Sequence, residues 1–328
     1  MKKSLIALAV ASALTVPMIA QADATLYGVA QYRGIAADNT SFENQMAKTR
    51  LGVKGTVDND IEGLTTGYQF EWEFAGNQQG SPSSSSSTDF TVDVSASPST
   101  ITVTDTVAND VNMRKSLVYV KGGFGQLTMG TQNNPGNAEG KTDIMGRQSG
   151  QYAQMPDRIS QAVAYYTPSM GGFIASAAFT ADGAADGTAT DDNVDVSIFG
   201  LNWSGAGVGL AAGVADIKDT GTISNVGVSY SGVENLYVAV SYSKSDEDDV
   251  LVDDVKVMDI AAAYSMGKTT LTALHTTQDD GSADDASMTG VGVAYALGAS
   301  AAIGVDYYDF NAEDGSNDEI VLQYTVSF

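Results

Sequence analysis

The chain has 328 residues, with 16 Lys and Arg against 40 Asp and Glu and a formal net charge of −24 at pH 7. Such an excess of acids argues against nucleic acid as a partner, because phosphate groups require a basic protein face. The sequence contains no Cys, which excludes a disulfide framework and thiolate metal sites.

The first 22 residues have the three parts of a secretory signal peptide. Two lysines form a basic start, an apolar run follows at 5–16, and the small residues of "AQA" at 20–22 fit a cleavage site. A membrane helix is the weaker interpretation, since the apolar run is short and Pro17 breaks it. We therefore predict export, cleavage after Ala22 and a single mature domain at 23–328.

After the signal, apolar and polar residues alternate with the period of a β-strand. In "GLTTGYQFEWEFAG" the alternation continues for about ten residues, the length with which a tilted strand crosses a bilayer. Strands of soluble proteins usually have about five or six residues. One face of this strand carries Leu64, Thr66, Tyr68, Phe70, Trp72 and Phe74.

The same pattern recurs along the whole mature chain and predicts sixteen strands. Their predicted ranges are 24–35, 47–58, 63–75, 110–121, 125–131, 159–167, 172–181, 194–203, 208–217, 222–231, 236–245, 255–265, 269–277, 287–296, 301–310 and 319–328.

The connections between these strands alternate between tight and long. The tight ones are rich in Gly, Asn and Ser, as hairpin turns require, whereas the others are longer and polar. An even number of long alternating strands, with short turns at one end and long loops at the other, is typical of an outer-membrane β-barrel. A soluble β-sandwich or solenoid is the alternative, but nothing in the sequence marks the two halves of a sandwich.

The last strand, "EIVLQYTVSF", ends the chain with an apolar stripe on one face. In a barrel this stripe faces lipid, and strand 319–328 pairs with strand 24–35 so that no sheet edge stays unpaired in hydrocarbon. The stripe consists of Ile320, Leu322, Tyr324, Val326 and Phe328.

The mature chain resembles the general porins of Gram-negative outer membranes. The resemblance rests on "ATLYGVAQYRG", "TRLGVKGTVDNDIEGLTTGYQFEWEF", "MRKSLVYVKGGFGQLTMGTQ" and "DRISQAVAYYTPSMGGF". It implies a sixteen-stranded, water-filled pore that forms a homotrimer, with a long loop at 132–158 folded inward as a constriction. It also implies that Phe328 is the carboxy-terminal aromatic recognised by the outer-membrane assembly machinery.

The resemblance further implies a basic wall at the constriction, formed by Arg50, Arg114 and Arg158. Strand parity places these arginines on the inner face if their apolar neighbours face lipid. Parity does not place them at one height, so three unrelated lumen charges remain the alternative. The neighbours expected to face lipid are Leu51, Val53, Leu117, Tyr119, Val163 and Tyr165.

Opposite the basic wall, the family carries acids on the inserted loop. Asp143 matches one of them, and Glu139 is the acid expected to replace a second. The usual Pro-Glu-Phe-Gly-Gly stretch is absent, and Arg147 stands where the second acid would be. Further candidates for the lumen are Arg33, Lys54, Glu71, Glu73 and Arg147.

Three other motifs carry little weight. "DNDIEGLTTGYQ" lacks the last acid of a calcium loop, "GAGVGL" is a turn between strands, and His275 has no nucleophile suitably placed. The sequence therefore predicts no enzyme activity, no metal site and no cofactor.

The predicted function is passive diffusion of small hydrophilic solutes and ions, with a weak preference for cations because loop acids outnumber the three arginines. A pore selective for one solute, such as an oligosaccharide, and an adhesive or structural barrel are the alternatives. Acid pairs crowd the longer loops, where they attract cations, bridge through divalent ions to lipopolysaccharide, or simply lie solvated. They are 191–192, 246–249, 253–254, 279–280, 284–285 and 313–314.

Overall fold

A computed structural model describes residues 24–38, 40–74, 88–93, 100–105, 111–180, 194–218, 220–247, 254–281, 285–311 and 318–328. The predicted signal peptide at 1–22 lies outside the described residues, as do the acid pairs at 191–192 and 313–314 and the acids at 248–249, 253 and 284. Within the described ranges, no helix is long and apolar enough to cross a membrane.

The described chain forms eighteen strands and one short 3-10 helix at Glu139–Lys141. The strands are β1 (Thr25–Ala37), β2 (Glu43–Val57), β3 (Thr65–Phe74), β4 (Thr88–Asp93), β5 (Thr100–Asp105), β6 (Val111–Gly122), β7 (Gly125–Asn133), β8 (Arg158–Tyr166), β9 (Phe173–Thr180), β10 (Val196–Gly205), β11 (Val208–Ile217), β12 (Gly221–Tyr230), β13 (Leu236–Glu247), β14 (Val255–Met266), β15 (Thr269–Asp279), β16 (Ala286–Ala296), β17 (Ala301–Phe310) and β18 (Glu319–Ser327).

Sixteen of these strands close into one antiparallel barrel, in which each strand pairs with its neighbours in the chain and β3 pairs with β6. The predicted fold class is therefore confirmed. The remaining two, β4 and β5, form a separate two-stranded sheet, which the sequence pattern did not predict.

The barrel closes where β18 pairs with β1, from Val29 opposite Ser327 to Ala37 opposite Glu319. Gly28 and Phe328 extend this ladder with backbone N–H···O=C bonds of 2.9 and 3.1 Å. The closing seam thus leaves no free strand edge, as a barrel in hydrocarbon requires.

The two faces of the closing strands differ as the alternation predicts. Phe328 is 65% exposed and Ile320 is 53% exposed on the outer face. On the inner face, Arg33 is 6% exposed and Val321 is fully buried. The inner face is crowded because the segment 134–157, between β7 and β8, packs against it.

Two buried apolar clusters lie inside the barrel, and each contains a methionine of segment 134–157. Met145 joins the first cluster, with Leu274, Tyr308 and Val321 among its members. Met155 joins the second cluster, in which Ile159, Ile198 and Ala215 also lie. Flexible methionine side chains fill such irregular gaps well, so these contacts anchor the segment at two points of the inner wall.

Candidate functional site

Three glycines on adjacent strands let the backbone of segment 134–157 lie directly against the inner wall. A Cβ atom would stand 2.2 Å from the Pro135 carbonyl oxygen at Gly200 and 1.8 Å from the Gly136 carbonyl oxygen at Gly213. At Gly227 a Cβ atom would stand 2.5 Å from the Ala138 carbonyl oxygen. Any side chain at these positions of β10, β11 and β12 would displace the segment. We call Gly200, Gly213 and Gly227 the glycine track.

Beyond the glycine track, hydrogen bonds tie the segment to β12, β13 and β14. The Ala138 N–H donates to Asn225 Oδ1 at 3.2 Å. The hydroxyl groups of Thr142 and Ser241 lie 2.8 Å apart, and each can donate to Asp259 Oδ2, at 3.3 and 2.8 Å. Thr142, Ser241 and Asp259 are all buried, so the segment covers this part of the wall completely.

The tip of the segment is bound to the closing strands β1 and β18. Arg147 donates from Nε and Nη2 to the two carboxylate oxygens of Glu319, at 2.7 and 2.9 Å. Gln148 adds a third hydrogen bond to Glu319 at 2.9 Å, and Arg33 donates to the Gly146 carbonyl oxygen. An arginine thus stands where an acid was expected. Arg147 fixes the tip of the segment to β18, whereas the two ends of the segment join β7 and β8.

Glu139 was expected to face the arginine wall, but it lies inside the folded segment and is 5% exposed. Its carboxylate accepts the backbone N–H groups of Gln154 at 3.1 Å and Met155 at 2.9 Å. Burial raises the pKa of Glu139, and the nearby Asp259 raises it further. The hydrogen bonds that Glu139 accepts lower its pKa and offset only part of this rise. Glu139 therefore joins the two ends of the segment and contributes no water-exposed acid.

Two arginines of the expected basic wall are neutralised by acids of the neighbouring strand. Arg50 Nη2 lies 3.3 Å from Glu73 Oε1. Arg114 forms ion pairs of 2.8 Å with Glu71 and 2.6 Å with Glu73. Because Glu73 accepts from both arginines and Arg114 also binds Glu71, these four side chains form one network of charge-assisted hydrogen bonds on β2, β3 and β6.

Arg114 faces the lumen for a different reason from the expected one. Leu117 and Tyr119, expected to face lipid, instead line an inner cavity together with Gln69 and Lys115. The pairing of β3 with β6 shifts by one residue at Arg114, as in a β-bulge. The shift brings Arg114 to the same face as Lys115, so both neighbours point inward.

Arg158, the first residue of β8, lies within electrostatic reach of Arg114, Arg50 and Glu73. Lys54, another expected lumen residue, lies over the ring of Tyr27 at 5.4 Å from its centroid. The structure thus brings the three expected arginines together on one side of the barrel.

Two lysines complete this side, and neither was named as a site residue from the sequence. Lys48 interacts electrostatically with Arg50 and, across the lumen, with Asp143. Lys48 has the same strand parity as Arg50 and Lys54, a signal that could have identified it. Lys115 could not be identified in this way because the register shift inverts its parity. Among the residues that the structure describes, no salt bridge involves Lys48, Lys115 or Arg158.

Asp143 is the acid of the segment that faces this basic wall. It is exposed to water, and the charges of Asp157 and Lys48 act on it. Partial desolvation, and then Asp157, raise the pKa of the Asp143 carboxyl, while Lys48 opposes the rise. The open lumen therefore runs between a mixed wall of bases and acids and a segment that presents Asp143.

The comparisons with known proteins identify the family. The sequence profile of the Gram-negative porins matches residues 7–316. The chain belongs to the Gram-negative porin family. As a porin it is an outer-membrane β-barrel channel for passive diffusion and not an enzyme. Among curated protein sequences, none matches this porin significantly.

Solved porin structures share the fold at low sequence identity. OmpF of Salmonella typhi, in complex with daunomycin, matches with a TM-score of 0.68 and 15% identity over 93% of this chain and 97% of its own. An anion-selective porin from Comamonas acidovorans matches with a TM-score of 0.65 and 16% identity over 94% of this chain and 100% of its own. OmpT of Vibrio cholerae, in its trimer form, matches with a TM-score of 0.66 and 13% identity over 94% of this chain and 99% of its own.

Proposed function

We propose that this porin is a general diffusion pore for small hydrophilic solutes and ions, with a weak preference for cations. The observation that carries the proposal is the pairing of Arg50 and Arg114 with Glu71 and Glu73. Paired in this way, Arg50 and Arg114 attract anions much less than two free guanidinium groups would.

The charge at the outer end of the barrel supports the same direction. The ends of the strands and the loops there carry acids, among them Asp38, Asp285, Asp309 and Asp318. Their field acts over a Debye length of about 8 Å at physiological salt but only about 3 Å at 1 M. The cation preference should therefore be clear in dilute salt and fade in concentrated salt.

The surroundings of Tyr152 favour a general pore over an oligosaccharide-selective one. It is the only aromatic residue of segment 134–157, and it packs against the buried cluster around Met145. A sugar path would need several aromatic rings along the lumen, and this segment supplies none beyond Tyr152.

The proposal includes export through the signal peptide at 1–22, assembly into a homotrimer by the outer-membrane assembly machinery, and contact of the acidic rim with lipopolysaccharide. The trimer form of OmpT from Vibrio cholerae, which shares the fold, supports the trimer. Phe328 on the outer face of the closing seam supports recognition of the carboxy terminus.

The zero-current potential across a planar bilayer under a potassium chloride gradient tests the selectivity. Arg114→Ala should raise the cation preference at all salt concentrations, because it removes one base and leaves Glu71 and Glu73 less compensated. Glu73→Gln should do the opposite, because it removes one acid, releases Arg50 and leaves Arg114 with Glu71 alone. Lys268→Ala, in the tight turn after β14, removes a charge outside the constriction and is the control.

An anion preference of the unaltered porin in dilute salt would contradict the proposal. The proposal would also be contradicted if Arg114→Ala and the Lys268→Ala control gave the same zero-current potential, because the network around Arg114 would then have no influence on permeating ions.

A further inference from the structure

An apolar pocket opens on the inner face of β8–β11, at the end of the barrel where segment 134–157 rejoins the wall. Its volume is about 330 Å³. Most of the surface that it exposes is aliphatic, although a porin lumen is ordinarily polar. The aliphatic side chains that line it are Ile159, Val196, Ile198, Ala215 and Ile217.

The pocket lies beside the first residues of β8, where the backbone is irregular. Among the described residues, β8 pairs with β9 from Ala162, opposite Thr180, to Tyr166, opposite Ser176, and Gln161 takes a positive φ of 50°. The pairing of β8 with β7 also shifts register at this point. Positive φ at a residue other than glycine is uncommon in proteins as a whole, and the residues that adopt it cluster at functional sites. At this point Ile159 is 6% exposed and Val196 is partly exposed.

One charged group at the rim is available to a ligand. Arg158 lines the pocket, and no described residue forms a salt bridge with it. Arg50 and Arg114 lie within electrostatic reach of Arg158, as do the acids Asp157 and Glu73. Because Arg50 and Arg114 are themselves paired with Glu71 and Glu73, Arg158 is the arginine of this group that forms no salt bridge with a described residue. Asp195 also lines the pocket, but it already interacts with another part of the chain. Among the residues that line the pocket, Arg158 is therefore the charged group that can bind a ligand anion.

We propose that this pocket binds a small aromatic carboxylate, with the ring against Ile159, Ile198 and Ile217 and the carboxylate on Arg158. An apolar cavity of about 150 Å³ is large enough for benzene, so about 330 Å³ holds a substituted ring. A planar guanidinium binds a carboxylate through two parallel hydrogen bonds. Apolar pockets with a few convergent polar groups are the usual form of small-molecule sites.

Such a site would retain aromatic acids beside the basic wall while other solutes pass. It extends the proposed function by naming a solute class, and it depends on that function only for the route by which the solute arrives. Equilibrium binding is therefore the appropriate test, because it does not require the channel to conduct.

Isothermal titration calorimetry of the detergent-solubilised porin compares three probes at neutral pH: benzoate, its neutral analogue benzamide, and acetate. Benzoate should bind saturably, with one site per chain. Benzamide lacks the charge and acetate lacks the ring, so each should bind about tenfold more weakly or worse. Equal affinities for acetate and benzoate, or no saturable heat with benzoate, would overturn the proposal.

Variants separate the two halves of the site. Arg158→Gln should reduce benzoate affinity to that of benzamide and leave benzamide unchanged. Ile217→Ala should weaken benzoate and benzamide alike, by about tenfold. Leu117→Ala, which trims an aliphatic side chain in the separate inner cavity around Lys115, should change neither. Equal effects of Ile217→Ala and Leu117→Ala would place the probe elsewhere and reject the site.

Discussion

Glu139 and Asp143 lie four residues apart in segment 134–157 but have opposite surroundings. Glu139 is buried between backbone N–H groups, whereas Asp143 is exposed and faces Lys48. We therefore expect Asp143→Asn to shift the zero-current potential toward anions and Glu139→Gln to leave it unchanged. The pKa of Asp143 is raised, so cation preference should begin to fall, on acidification, at a higher pH than an ordinary Asp would give.

A shift with Glu139→Gln as large as that with Asp143→Asn would show that Glu139 reaches the ion path. Glu139→Ala is a complementary test of the structural role. It leaves two buried N–H groups without an acceptor, each at a cost of about 1–3 kcal/mol, and should increase the open-channel current noise.

Residue positions could be predicted from the sequence only where strand parity holds. Arg50 and Lys54 lie on the inner face as alternation requires, and Lys48 follows the same rule. Parity failed at Leu117 and Tyr119, because the register shift beside Arg114 is a property of two paired strands. The burial of Glu139 depends on the folded path of the segment, which no local pattern records.

At the scale of elements, the glycine track determines how far segment 134–157 extends into the lumen. Gly213→Ala should push the segment away from β11, because the new Cβ would meet the Gly136 carbonyl oxygen at 1.8 Å. Displacement toward the basic wall narrows the open lumen, so single-channel conductance should fall. Gly304→Ala is the matched control, since its Cβ would lie 3.3 Å from its nearest neighbour, the Val293 carbonyl oxygen.

Equal conductance of the Gly213→Ala and Gly304→Ala variants would show that the segment is not held at this wall. Both variants should retain the barrel, which circular dichroism in detergent can verify.

The elements themselves could be predicted well, because each barrel strand is long enough for period two to be unambiguous. β10 and β11 were expected at 194–203 and 208–217 and lie at Val196–Gly205 and Val208–Ile217. The path of segment 134–157 could not be predicted in the same way. It depends on Gly200, Gly213 and Gly227, which are far apart in the sequence and adjacent only in the closed sheet.

At the scale of the whole molecule, closure of the barrel depends on the contact between the two ends of the sheet. The ring of Phe328 lies over Gly28, where a Cβ atom would stand 2.5 Å from the ring. Backbone hydrogen bonds join the same two residues. Phe328 thus has two separable roles, a packing contact at the seam and the proposed signal for the assembly machinery.

Gly28→Val and Phe328→Asp should distinguish these roles. Gly28→Val blocks the place of the ring but keeps the terminal aromatic, so it should reduce refolding in pure detergent, where no assembly machinery is present. Phe328→Asp removes the aromatic itself, so its loss of yield should be greater in cells than in detergent. The fraction of protein that migrates as a compact, heat-sensitive species in dodecyl sulfate measures both. Normal refolding of Gly28→Val would show that the seam tolerates displacement of the ring, and Phe328 would then act at the recognition step alone.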